Sequence, residues 1–209
     1  VSAAHGVGIE TYDGLAATLT SEVRAVYAAV YAEAPYRDGP ADVAEFAAEW
    51  PGLVAQPGFR LVLARTGAAG VVGFALGHLV EPASGWWARI DPAPAAADTA
   101  GDVGVGDAGG SFGVAELGVH PAWRRRGLAS RLHEALLADR PEPRVVLWVR
   151  ADAPAATATY ARWGYRLVGC VPDRPPYQVM CLDRAATGET NTAPASPPHA
   201  CPPDVADEP

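Results

Sequence analysis

From Phe112 to Val149 the hydrophobic pattern changes period twice, and that succession constrains the fold more than any other feature of the chain. Phe112 to Val119 reads as a strand, and Pro121 stops it because proline cannot donate to a ladder. Leu128 to Ala138 then puts Leu128, Leu132 and Leu136 on one face of a helix. Val145 to Val149 is an unbroken apolar run, as a strand buried on both faces requires. Strand, helix and strand in that order imply a right-handed parallel crossover, and so a chain of the α/β class.

The flanking sequence supplies more elements of the same kind. Gly8 to Tyr12 predicts a short strand, and Leu15 to Tyr31 a helix with Leu15, Leu19, Val23, Val26 and Val30 at helical spacing. A second helix is expected from Ala41 to Trp50, closed by Pro51. Leu61 to Val80 is apolar enough to suggest a membrane span, but Arg65, His78 and four glycines interrupt it. Two antiparallel strands, Arg60 to Arg65 and Val71 to Val80 around Thr66–Gly70, account for it better. Ala155 to Trp163 predicts a helix with Pro154 in its first turn, and Tyr165 to Cys170 and Tyr177 to Leu182 complete the strands.

Residues 81–111 lose all periodicity, which marks either a flexible insertion or a functional lid. The expected organisation is one domain over residues 1–184, with a flexible insertion at about 88–111, and a disordered acidic Pro/Ala-rich tail over 185–209. The formal charge of −8 belongs to those two segments: residues 91–111 and 185–209 each hold four acidic side chains and no Lys or Arg. The rest of the chain is neutral, which argues against broad electrostatic binding to nucleic acid. Cys170, Cys181 and Cys201 lack motif spacing and are expected as thiols. No basic region followed by an apolar run opens the sequence, so a cytoplasmic protein without membrane attachment is expected.

Chemistry concentrates where the strand meets the helix. Backbone N–H groups at a helix N-terminus lack internal partners and sit at the positive end of the dipole, an arrangement that binds phosphate. Gly127 and Ala129 let a ligand approach the backbone, and Arg124, Arg125 and Arg126 add positive charge. Read as a solvated patch or a nucleic-acid contact, the triplet lacks any second basic cluster to support it. Gly104 to Gly109 formally matches a dinucleotide fingerprint, but no strand precedes it and no helix follows.

Arg124-Arg125-Arg126-Gly127-Leu128-Ala129, with Val119 and Pro121 upstream, resembles the acetyl-CoA motif of the GNAT superfamily of N-acetyltransferases. Tyr160, three residues, Gly164 and Tyr165 resemble the same family's late helix. The resemblance implies an acyl-CoA N-acyltransferase fold, a mixed sheet of six to seven strands flanked by helices. It implies acetyl-CoA as co-substrate and no metal. Backbone groups of Leu117, Gly118 and Val119 would hold the pantetheine and acetyl carbonyl, with the Leu117 N–H as oxyanion donor. The amides of Arg125 to Ser130 would hold the pyrophosphate, with Arg124 a further cofactor-binding residue of the motif, and Tyr160 would protonate the departing thiolate. Glu116 is the carboxylate nearest the expected reaction centre and the base on this reading, directly or through a water.

Competing readings stand beside these. Many relatives carry Asn seven residues before the tyrosine, where this chain has Ala153; Asp152 is adjacent but out of register. The competing reading of Tyr160 is a core tyrosine, and Trp86 and Trp87 either line an acceptor pocket or pin the long loop. His78, His120 and His133 lack metal spacing. The acceptor is expected to be a small-molecule or peptide amine, and a homodimer is compatible with the sequence. A regulatory module that binds acyl-CoA without efficient chemistry is the alternative.

Overall fold

A computed structural model describes residues 6–14, 20–67, 69–81, 84–91 and 110–184. The element order is β1 (Gly8–Asp13), α1 (Thr20–Tyr31), α2 (Pro40–Val54), β2 (Arg60–Thr66), β3 (Gly70–Val80), α3 (Gly85–Ala88) and β4 (Ser111–Val119). A 3-10 turn (Pro121–Trp123) follows, then α4 (Leu128–Leu137), β5 (Arg144–Arg150), α5 (Pro154–Arg162), β6 (Arg166–Val171) and β7 (Tyr177–Asp183). Seven strands form a mixed sheet in the order β1-β2-β3-β4-β5-β7-β6, flanked by helices as the sequence predicts. The tail and residues 92–109 of the insertion lie outside the described residues, as do residues 15–19 of the first expected helix.

The chain divides into two compact units. The first comprises Val1–Leu79 and Val114–Arg140. In it β1 pairs antiparallel with β2 and β2 with β3, so the apolar stretch from Leu61 is a hairpin with Thr66 opposite Gly70. Val23, Val26 and Val30 of α1 meet Phe46 and Trp50 of α2 over Leu61, Leu63, Phe74 and Leu76 of the hairpin. Each such side chain removed from water contributes about 1.5–3 kcal/mol, which is what holds α1 and α2 on the sheet. Leu61 to Ala64 are all fully buried because α4 also packs on β2.

Pro51 does not close the second helix. α2 runs on to Val54, although an interior proline costs about 3 kcal/mol. Leu53 and Val54 beyond it pack against the same core, and their burial offsets the lost hydrogen bond. At the other end Pro40 takes the first turn and the Asp42 carboxylate accepts the Gly39 N–H at 2.8 Å.

The second unit comprises Val80–Gly113 and Pro141–Pro209. β5 pairs antiparallel with β7, and β6 with β7, around Val146, Val171, Val179 and Cys181. Residues 84–91 are ordered, against the expectation of no regular structure from 81 onward. Trp87 and Ile90, three residues apart, enter this core, and Trp86 stacks on Trp148 at 5.2 Å. The Arg89 guanidinium lies 4.7 Å over the Trp148 ring, and Asp91 bridges Cys170 through bonds of 2.7 and 3.0 Å. Cys181 is a buried thiol whose Sγ donates to Asp183 at 4.0 Å, whereas Cys170 is disulfide-bonded, contrary to the reading of the cysteines as thiols.

Candidate active site

β4 presents alternate residues to its two faces, and the glycines report which is which. A Cβ on Gly118 would meet Val30 of α1 at 2.8 Å, and the Glu116 side chain reaches Tyr31 of the same helix. A Cβ on Gly73 would touch both Val119 and Leu132, so Val119 faces α4. The period of two therefore runs unbroken from Glu116 to Val119.

Past Val119 the chain turns on Pro121 and enters α4 through two left-handed residues, Arg125 at φ 61° and Gly127 at φ 73°. Gly127 is the N-cap; it supplies no side-chain cap, and no acidic residue occupies the first turn. The first bond of the helix is Arg131 N–H to Gly127 O at 3.2 Å. The amides of Leu128, Ala129 and Ser130 consequently have no acceptor within their own helix. A Cβ on Gly127 would meet nothing within 4 Å, so the backbone here is open to approach. Uncapped amides, positive dipole and bare backbone coincide, which fits the pyrophosphate expected of the co-substrate.

The three arginines do not act alike. The Arg124 side chain bonds inward: Nε to Val119 O at 3.0 Å, one terminal nitrogen to Glu33 at 2.6 Å and the other to Val30 O at 3.3 Å. Its charge is neutralised by Glu33, so the side chain braces the loop rather than offering a free cation. Arg126 lies over Trp123 at 4.8 Å and bonds Ala122 O. Arg125 is exposed. The arrangement could draw phosphate through the backbone amides and Arg125 rather than through Arg124.

Glu116 is half-buried, and Tyr31 donates to its Oε2 at 2.5 Å. Burial pushes its carboxyl up to about 7; the Tyr31 hydroxyl pulls the other way, and Asp38 and Glu49 push further up. Beside it, Tyr27 donates to Asp38 at 2.9 Å, and burial together with the Glu116 charge raises that phenol. Sequence reasoning missed Tyr31. A carboxylate inside an apolar strand demands a partner, but nothing in the sequence says that the partner lies 85 residues away on α1.

Tyr160 lies in the second unit, half-buried on α5. Its carbonyl accepts the Tyr165 N–H at 3.1 Å, Gly164 takes φ 92°, and the Tyr160 and Tyr165 rings meet at 5.5 Å. These are the parts of a Schellman helix end with its apolar contact. The spacing of tyrosine, three residues, glycine and aromatic thus has a structural cause of its own. Ala153 is the buried N-cap of α5, and Asp152 is held by Arg150 at 2.6 Å, which keeps its carboxyl below the usual range. Trp86 and Trp87 pin α3 to the second unit. His78 and His120 bond to neighbouring backbone and His133 is buried, its imidazole pushed down to about 4 by burial. No group of His, Cys, Asp and Glu suited to a metal occurs among the described residues.

The model of the acetyltransferase (GNAT) family matches residues 23–165. The chain is 40% identical over 75 residues to a mycothiol acetyltransferase of Paenarthrobacter aurescens (strain TC1). That match covers 36% of this chain and only 23% of the relative. Among solved structures, the ribosomal-protein-S18-alanine N-acetyltransferase from Escherichia coli superposes with a TM-score of 0.57 at 17% identity, over 90% of this chain and 100% of that one. Arabidopsis thaliana NAA60 in complex with acetyl-CoA superposes with a TM-score of 0.58 at 16% identity, over 85% and 99%. At such identities the likeness establishes the fold.

Proposed function

The chain belongs to the acetyltransferase (GNAT) family, and on that premise we propose that it moves an acetyl group from acetyl-CoA to a primary amine by direct attack in a ternary complex. The observation that carries this reading is the uncapped N-terminus of α4, where Gly127 leaves the backbone bare. Acetyl-CoA supplies the activated thioester. The amides from Arg125 to Ser130 bind its pyrophosphate, and the backbone of Leu117 to Val119 aligns the pantetheine. The Leu117 N–H donates to the carbonyl oxygen as negative charge develops there.

Glu116 takes the proton that the acceptor's ammonium must lose, and the neutral amine so formed attacks the carbonyl. A carboxyl near 7 accepts it efficiently at neutral pH, and activity rises as pH climbs through that value. Tyr160 gives a proton to the departing thiolate. The acceptor is a small-molecule or peptide amine, and no acyl-enzyme is involved. Incubating the purified chain with acetyl-CoA and a panel of amines tests this by release of free CoA and one acetylated product. CoA release by no panel member, with acetyl-CoA still bound, selects the second reading, an acyl-CoA-binding regulatory module. One observation favours that reading: the tyrosine pattern of α5 is already accounted for by its helix end.

A further inference from the structure

We infer that Tyr31 is the positioning residue for Glu116, and that Arg124 ties the helix end carrying it to the cofactor loop; this rests on Glu116 being the base. The Tyr31 hydroxyl is the one hydrogen-bond donor to the Glu116 side chain among the described residues. It occupies Oε2 and leaves Oε1 to receive a proton. A phenol ring has few rotamers, and this one is 8% exposed. Tyr27 holds it at 4.5 Å and Tyr36 edge-on at 4.8 Å. The carboxylate is thus aimed by a side chain that has little freedom to move.

The groups facing Glu116 leave Tyr31 as its stabilising partner. Tyr27 shares α1 with Tyr31, and Asp38 follows that helix, while Glu49 sits on α2. Both acids oppose ionisation of Glu116, and Tyr27 gives its hydroxyl to Asp38. Arg124 then fastens the turn from Val30 to Glu33 against the end of β4, bonding Val30 O, Glu33 and Val119 O together. Gly118 completes the seat, because any Cβ there would strike Val30. The base, its holder and the loop that precedes α4 are in this way braced by one guanidinium.

The test is the pH profile of kcat/KM for full-length wild type, Tyr31→Phe and Glu116→Gln, together with carbon NMR titration of the glutamate carboxyls. Tyr31→Phe keeps the ring and removes only the donor; Tyr31→Met repeats the reading if the first variant folds poorly. Loss of a charge-assisted bond moves the acid limb to higher pH by roughly one unit, and the Glu116 carboxyl resonance titrates higher by the same amount. The KM for acetyl-CoA stays within about twofold of wild type, since no cofactor contact is touched. If the limb disappears in Glu116→Gln yet does not move in Tyr31→Phe, the base stands and the role of Tyr31 is overturned. If the carboxyl titration moves while Glu116→Gln keeps the wild-type profile, the base assignment itself fails, and the role of Tyr31 with it.

Discussion

The loop from Arg124 to Ala129 and the helix end from Tyr160 to Tyr165 both repeat a pattern of the acetyltransferase (GNAT) family, and the fold uses the two patterns differently. At the helix end the spacing is accounted for by the backbone and the rings. Gly164 provides the left-handed residue, Tyr165 bonds back to Tyr160, and their rings meet. In the loop the left-handed glycine serves no such closure. Gly127 opens onto space, and the first amides of α4 stay without a helical acceptor. A pattern that the fold spends on itself says little about chemistry; one that leaves donors unspent points to a ligand. The loop is therefore the stronger functional signal of the two.

Substitutions at each region sharpen that contrast. Glu116→Gln has the largest expected effect, a loss of about 10²-fold in kcat/KM with disappearance of the acid limb near pH 7. Tyr160→Phe should lower kcat by roughly tenfold if the hydroxyl donates a proton. A variant with wild-type kcat would reduce Tyr160 to its part in the helix end. Arg124→Met should destabilise the chain by about 1 kcal/mol, seen in chemical denaturation, because the half-buried carbonyls of Val119 and Val30 lose this donor while exposed Glu33 returns to water. Acetyl-CoA affinity should change less than stability.

Glu116 also makes a prediction about stability. Its carboxyl stands near 7 in the folded chain and near the ordinary ~4.3 when unfolded. A raised folded value means that its contribution is fully present below pH ~4.3 and is lost as pH rises through about 7. Glu116→Gln should accordingly melt higher than wild type at pH 8 and close to wild type at pH 4. Equal melting at both values would show that the carboxyl is not held against its charge.

Much of this was legible in the sequence, for identifiable reasons. Periodicity placed every strand of the sheet within a residue or two, and the strand, Pro121 and Leu128 face located the loop before its geometry was known. What failed needed tertiary contacts. Pro51 breaks a helix only when nothing beyond it is worth burying, and Leu53 and Val54 were. Residues 84–91 are too short a run to show a period, yet Trp87 and Ile90 find a core. Glu33 takes up the charge of Arg124, and Tyr31 meets Glu116 because α1 lies against β4; both pairings exist only in the tertiary fold.

On this reading the unspent amides at Gly127 bind acetyl-CoA, whereas Gly164 only ends a helix. Calorimetric titration of acetyl-CoA into Gly127→Val and Gly164→Val, with melting temperatures read in parallel, separates the two roles. Both glycines have positive φ, so each valine costs about 1–3 kcal/mol of backbone strain. The prediction is that Gly127→Val remains folded and loses more than about tenfold in affinity, by distorting and covering the amides. Gly164→Val should lose stability and, while folded, bind as wild type. Wild-type affinity in folded Gly127→Val would contradict this reading.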